Sequence, residues 1–214
     1  MKKFMTPIFG LALLAVTTQA GAVVLSLEPS SQDAVPTDAV SLDLTVSGLS
    51  AGGPDSLGDF DLDIFYDTAA LTFSGYSLGG FLGDIGLGEA LDFSLGDLGG
   101  GIINLHEVSL LEADAVSCVF CAGPYLDDIQ PGSFVLATLD FIVDVLPVGS
   151  STTVGIGGIF SLDDGFGDPL AITGTADAVI RNPAPASVPE PATLALLMLG
   201  LVGMTLMHQR RSRA

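Results

Sequence analysis

From Val23 to Ile180 the apolar residues fall at every second position over short stretches, and Gly, Asp, Pro and Ser interrupt them. In Val40 to Val46, Leu42, Leu44 and Val46 alternate with Ser41, Asp43 and Thr45. In Asp59 to Tyr66, Phe60, Leu62, Ile64 and Tyr66 alternate with Asp59, Asp61 and Asp63. A strand turns successive side chains to opposite faces, so both segments read as half-buried strands. The same reading predicts strands at Val23 to Leu27, Leu71 to Tyr76, Ala90 to Leu95, Ile102 to Leu110, Ser133 to Val145, Thr152 to Ser161 and Thr175 to Ile180. About nine strands and no long helix predict an all-β domain over 23–181, a jelly-roll-like sandwich of two packed sheets. The ten glycines from Gly75 to Gly101 read as turns and bulges, because no G-x-G-x-x-G opens a helix there.

The two ends follow a different pattern. Met1-Lys2-Lys3, an uncharged stretch from Phe4 to Val16 and the small residues Ala20-Gly21-Ala22 form the charged, apolar and cleavage-site order of a signal peptide over 1–22, cut after Ala22. At the other end Asn182 to Ser187 reads as an extended Pro/Ala linker. Beyond it Ala192 to Met207 carries no charge, and Arg210, Arg211 and Arg213 follow. Those 16 residues span about 24 Å as a helix, a little short of the roughly 30 Å hydrocarbon core, which they fit marginally. Arginines stay on the cytoplasmic side, so the domain lies outside the inner membrane, in agreement with the signal peptide.

Val188-Pro189-Glu190-Pro191, then the apolar segment with Gly200 and Gly203, then the terminal arginines, resemble the PEP-CTERM sorting signal. That resemblance implies a Gram-negative bacterium and an exosortase that cuts at or near Pro-Glu-Pro. It also implies an inner-membrane tether before processing, a cell-surface or extracellular product afterwards, and an association with exopolysaccharide. A second resemblance lies in Val40-Ser41-Leu42-Asp43-Leu44-Thr45-Val46-Ser47-Gly48-Leu49, Phe60 through Asp67, Leu71-Thr72-Phe73 and Gly132 through Phe141, which are similar to cohesin-like domains. It implies a jelly-roll sandwich related in shape to carbohydrate-binding modules. Cohesins bind dockerins; the glycine-rich segment and the Cys118 to Pro131 loop depart from the pattern.

Charge narrows the function. Between Val23 and Ser187 there are 24 carboxylates against the single cation Arg181, a net charge of −23. Nucleic acid and nucleotides need Lys or Arg against their phosphates, and Schiff-base chemistry needs an amine, so these classes are excluded. The acidic surface reads as a solubility device and counterion sink.

Candidate chemistry is sparse. Cys118 and Cys121 lie in a loop rather than at a strand-to-helix turn and read as a local disulfide outside the cytoplasm, with free thiols or a redox or metal role as alternatives. Asp163, Asp164 and Asp168 surround Gly165 and Gly167, a candidate calcium site weighed against a plain solvated turn. Asp59, Asp61 and Asp63 stand about 7 Å apart along one strand face, too far to share an ion without a neighbouring strand, and read as solvated. His106 reads as an ordinary strand residue, since no spacing selects a serine beside it. The expectation is a non-enzymatic surface or matrix protein linked to envelope adhesion or exopolysaccharide. The alternatives are a carbohydrate-binding or cohesin-like protein-recognition module and, third, a glycan-active enzyme. Trp is absent and only Tyr66, Tyr76 and Tyr125 offer hydroxylated rings, which counts against a sugar platform.

Overall fold

The computed structural model describes residues 23–50, 56–118 and 121–185. The expected signal segment, tail helix and sorting-motif residues, from Val188 to Pro191 and at Arg210, Arg211 and Arg213, lie outside the described residues. The sandwich belongs to the first of two compact units, Met1–Pro183.

Among the described residues there are twelve strands: β1 (Val23–Glu28), β2 (Ser31–Asp33), β3 (Ala39–Ser47), β4 (Leu57–Phe65), β5 (Leu71–Leu78), β6 (Ala90–Asp92), β7 (Gly96–Gly99), β8 (Ile102–Ser109), β9 (Ser133–Val143), β10 (Ser151–Asp164), β11 (Ile172–Ala176) and β12 (Ala178–Arg181). One sheet has the order β11-β1-β3-β9-β5. The other, seven-stranded, runs β2-β12-β10-β4-β8-β6, with β7 also paired to β8. Neighbours are antiparallel except β1 with β11 and β2 with β12. A 3-10 turn at Ile85–Leu87 and an α-turn at Leu126–Ile129 are the helical elements among the described residues, and none of these is long and apolar enough to cross a membrane.

Alternation builds the core. Val40, Leu42, Leu44 and Val46 of β3 face Phe60, Leu62 and Ile64 of β4 across the sandwich interior, all buried. Phe141 of β9 receives Tyr66 and Phe73 edge-on, at centroid distances of 5.3 and 5.7 Å. Each such side chain contributes roughly 1.5–3 kcal/mol by leaving water. On the outer faces hydroxyls stand in for missing cations. Ser41 donates to Asp140 at 2.5 Å, Thr138 to Asp43 at 2.6 Å and Thr72 to Asp144 at 2.5 Å.

Three expectations change. The strand expected over Thr175 to Ile180 breaks at Asp177, whose Oδ1 accepts the Ile156 N–H at 3.1 Å. β11 therefore stays in one sheet while β12 joins the other. The strand expected over Ala90 to Leu95 stops at Asp92 and pairs with β8 again as β7. The linker expected from Asn182 starts later: Asn182 is 4% exposed, and its Nδ2 donates to the Leu146 carbonyl at 2.6 Å. Its backbone also bonds Ser150 and Gly149, so this residue closes the sandwich.

Candidate functional site

With Phe60, Leu62 and Ile64 locked in the core, β4 presents Asp59, Asp61 and Asp63 outward at the centre of the seven-stranded sheet. The antiparallel register of β8 sets His106 opposite Asp61 and Asn104 opposite Asp63. Asn104 Nδ2 donates to Asp61 Oδ1 at 2.9 Å and Asp63 Oδ1 at 3.1 Å, bridging two carboxylates. His106 Nε2 lies 3.3 Å from Asp59 Oδ1 and its Nδ1 3.9 Å from Asp61 Oδ2, ion pairs when the imidazole carries a proton. From β10, Ser161 Oγ donates to Asp59 Oδ2 at 2.5 Å. The three aspartates read as merely solvated are thus tied into a network by two neighbouring strands.

Aromatic rings flank this strip. Phe93 packs tilted on His106 at 5.4 Å between centroids and is 52% exposed. Phe65 continues the outward register of β4, and its ring lies over Gly157, where a Cβ would overlap it. Glycine at 157 is what lets the ring lie flat on the sheet. Phe160 on the bulged β10 is 66% exposed. Tyr66 and Tyr76 pack against the core instead, and the Tyr125 hydroxyl donates to the Cys121 carbonyl at 2.8 Å.

At one end of the strip a cavity of about 300 Å³ is lined by Gly58, Asp59, Asp163, Asp164 and Phe166, among others. Asp163 stands opposite Asp59 in the ladder, and burial, then the charges of Asp59, Asp164 and Asp168, push its carboxyl above the usual range. Asp164 Oδ1 accepts the amides of Phe166 at 2.8 Å and Asp168 at 2.9 Å, closing the turn. Asp163, Asp164 and Asp168 therefore share a turn, but their carboxylates are not among the described groups that bring three ligand atoms within 4.8 Å of one another. Glu112, Cys118 and Cys121 do converge to that distance, yet Cys118 and Cys121 are joined as a disulfide, which leaves no thiolate to ligate.

The chemistry of the strip is acceptance. Ser94 Oγ sits beside His106 but exchanges hydrogen bonds with that residue's backbone, at 2.9 and 3.3 Å, rather than with its imidazole. Carboxylates at fixed spacing take donors such as ammonium, guanidinium, hydroxyl or amide groups, and the rings add apolar area around them. Sequence reasoning placed the aspartates on one outward face but read them as solvated, and it missed Asn104, His106, Phe65 and Phe93 as their companions. The outward parity of Asn104 and His106 in the β8 alternation was the available signal.

Residues 187–211 match the family described as the PEP-CTERM protein-sorting motif. The chain carries a C-terminal segment similar to the PEP-CTERM sorting motif, after a sandwich of cohesin-like fold. The sixth cohesin of Acetivibrio cellulolyticus scaffoldin B, solved in complex with a dockerin, is 17% identical over 75% of this chain and 99% of its own, with a TM-score of 0.56. The cohesin CaCohA2 from Clostridium acetobutylicum is 18% identical over 79% of this chain and 95% of its own, with a TM-score of 0.56. A type II cohesin from the cellulosome of Acetivibrio cellulolyticus is 15% identical over 75% and 95%, with a TM-score of 0.52. At such identities the likeness is one of fold. No curated protein matches the chain.

Proposed function

We propose that this is an exported, exosortase-processed, non-enzymatic surface protein whose sandwich recognises a partner protein through the outer face of the seven-stranded sheet. The observation that carries the reading is the network of Asp59, Asp61, Asp63, Asn104 and His106, ringed by exposed Phe65, Phe93 and Phe160. Such a face suits a partner that offers basic, hydroxyl or amide side chains at its centre and apolar ones at its rim. The cohesin likeness supports a protein partner, since related sandwiches are solved in complex with dockerins. Tyr66 and Tyr76 pack against the core rather than outward, which favours protein over sugar, and envelope or exopolysaccharide association is then the setting rather than the ligand. The sorting motif supports export, an inner-membrane tether and release or surface attachment after cleavage.

A photo-reactive residue at position 65 or 93 of the full chain in the source bacterium tests the face. The expected result is a covalent adduct with another exported protein that disappears when Asp61→Ala and Asp63→Ala are added in a protein that stays folded by circular dichroism. Adducts formed only from position 41, on the five-stranded sheet, or recovery of polysaccharide without protein, overturn the reading.

A further inference from the structure

β8 turns Asn104 and His106 outward and Ile103, Leu105 and Glu107 into the interior. Glu107 is 0% exposed, and neither its Oε1 nor its Oε2 has a hydrogen-bond partner among the described residues. In the ladder it stands opposite Phe60 of β4 and Asp92 of β6. Opposed residues point the same way, so Asp92 is the charge that faces it across the β6 seam. Asp92 has donors of its own, the Ser94 amide at 2.8 Å and, from β5, the Tyr76 hydroxyl at 3.1 Å. Glu89, just before β6, is engaged by the Asp84 amide at 3.0 Å. The cation Arg181 ends β12, with β10 and β4 between it and β8. A carboxylate buried without a donor or cation costs several kcal/mol, and a bound cation or a proton removes the charge that makes it costly. The surface cavities at Asp163 and at Gly79 to Gly86 are not lined by Glu107. The proton needs no room.

We propose that Glu107 is a proton-dependent latch: protonated, it lets the β6–β8 seam close over the core, and ionised, it loosens that edge together with the Phe93 and Ser94 segment lying on His106. Control of docking by this latch rests on the reading of the face given above; the latch itself does not. Burial first, then the charge of Asp92, push the Glu107 carboxyl from the ordinary 4.5 up to about 8. A raised carboxyl gives stability that is complete below the unfolded value. That stability drains as pH climbs toward the folded value and is gone above it. The domain is thus held shut in mild acid and relaxed in mild alkali.

Denaturant unfolding of the sandwich-bearing chain and its Glu107→Gln variant over pH 5 to 9 tests the latch. The ratio of folding constants, wild type over variant, is expected to fall by about tenfold per pH unit between about 5 and 8 and then level off. At pH 8, amide exchange at Phe93 and Leu110, whose N–H groups donate to the His106 and Glu89 carbonyls, should be faster in wild type than in the variant. Parallel pH profiles for the two proteins overturn the proposal. So does recovery of wild-type stability at pH 8 by Ca²⁺ or Mg²⁺ but not by NaCl of equal ionic strength, which assigns the carboxylate to a cation. Should the glutamine variant not fold, carbon NMR of the Glu107 carboxyl decides: a midpoint near 8 supports the latch and an ordinary glutamate midpoint overturns it. No step needs a partner, so a docking face elsewhere leaves these outcomes intact and shows itself separately in the cross-linking.

Discussion

Gln130 ends the α-turn that follows the disulfide loop and is 6% exposed. Its Oε1 accepts the Leu57 N–H at 2.7 Å, and its Nε2 donates to the Leu57 carbonyl at 2.7 Å and the Phe81 carbonyl at 3.0 Å. Pairing with β8 begins at Asp59, so at Leu57 this edge of β4 has no strand beside it among the described residues, and the glutamine amide takes the place of a strand residue. Replacing Gln130 with leucine keeps the volume nearly constant and removes all three bonds. At about 1 kcal/mol net for each bond, and more where a backbone group stays dry, the loss comes to about 3–5 kcal/mol. That is a large share of the roughly 5–15 kcal/mol that holds a domain together. For a domain of this size it lowers Tm by about 10 °C. Gln130→Glu keeps the acceptor for Leu57 but sets a carboxylate against two carbonyl oxygens, so it should be worse than leucine. Urea unfolding followed by far-ultraviolet circular dichroism, with a thermal melt alongside, measures both. A Gln130→Leu protein within about 1 kcal/mol of wild type refutes the bridging role of the amide.

Two further outcomes are expected. Cys118 and Cys121 of the exported protein should resist alkylation until reduced, as read by intact mass; because they close so short a loop, Cys118→Ser with Cys121→Ser should cost no more than about 2 kcal/mol in the same unfolding assay. Glu190→Ala should leave the sandwich folded but retain the tail, because on the reading proposed above Glu190 belongs to the motif that the exosortase cuts; the check is the mass of the recovered protein, and a wild-type product still bearing Arg210 to Ala214 would contradict it.

Local periodicity explains how much of this protein was legible in advance. Alternation in Ala39–Ser47 and Leu57–Phe65 is a property of neighbouring residues, so their strands, buried faces and outward aspartates could be read directly. The sorting tail was readable for the same reason, as a contiguous motif beside an apolar run with a basic end. Thr175 to Ile180 was misread as one strand because propensity does not show to which sheet each half pairs. The Ile156 amide that holds Asp177 lies 21 residues away. Asn182 looked like linker because proline follows it, while the carbonyl that buries its side chain belongs to Leu146.

The site shows the same division. Composition determined that the domain would be acidic and nearly without cations, and spacing determined that Asp59, Asp61 and Asp63 would share a face. Only the tertiary structure decided that Asn104 and His106 from β8 and Ser161 from β10 would turn that face into a network, across separations of up to 102 residues. For Glu107, alternation alone sets it beside Ile103 and Leu105. Whether that face of the strand meets water depends on the sheet packed against it, and here the packing leaves a carboxyl with no donor among the described residues. The physical reason is common to all these cases. Side-chain direction follows from the backbone repeat, but solvation and partners follow from which distant segments pack beside it.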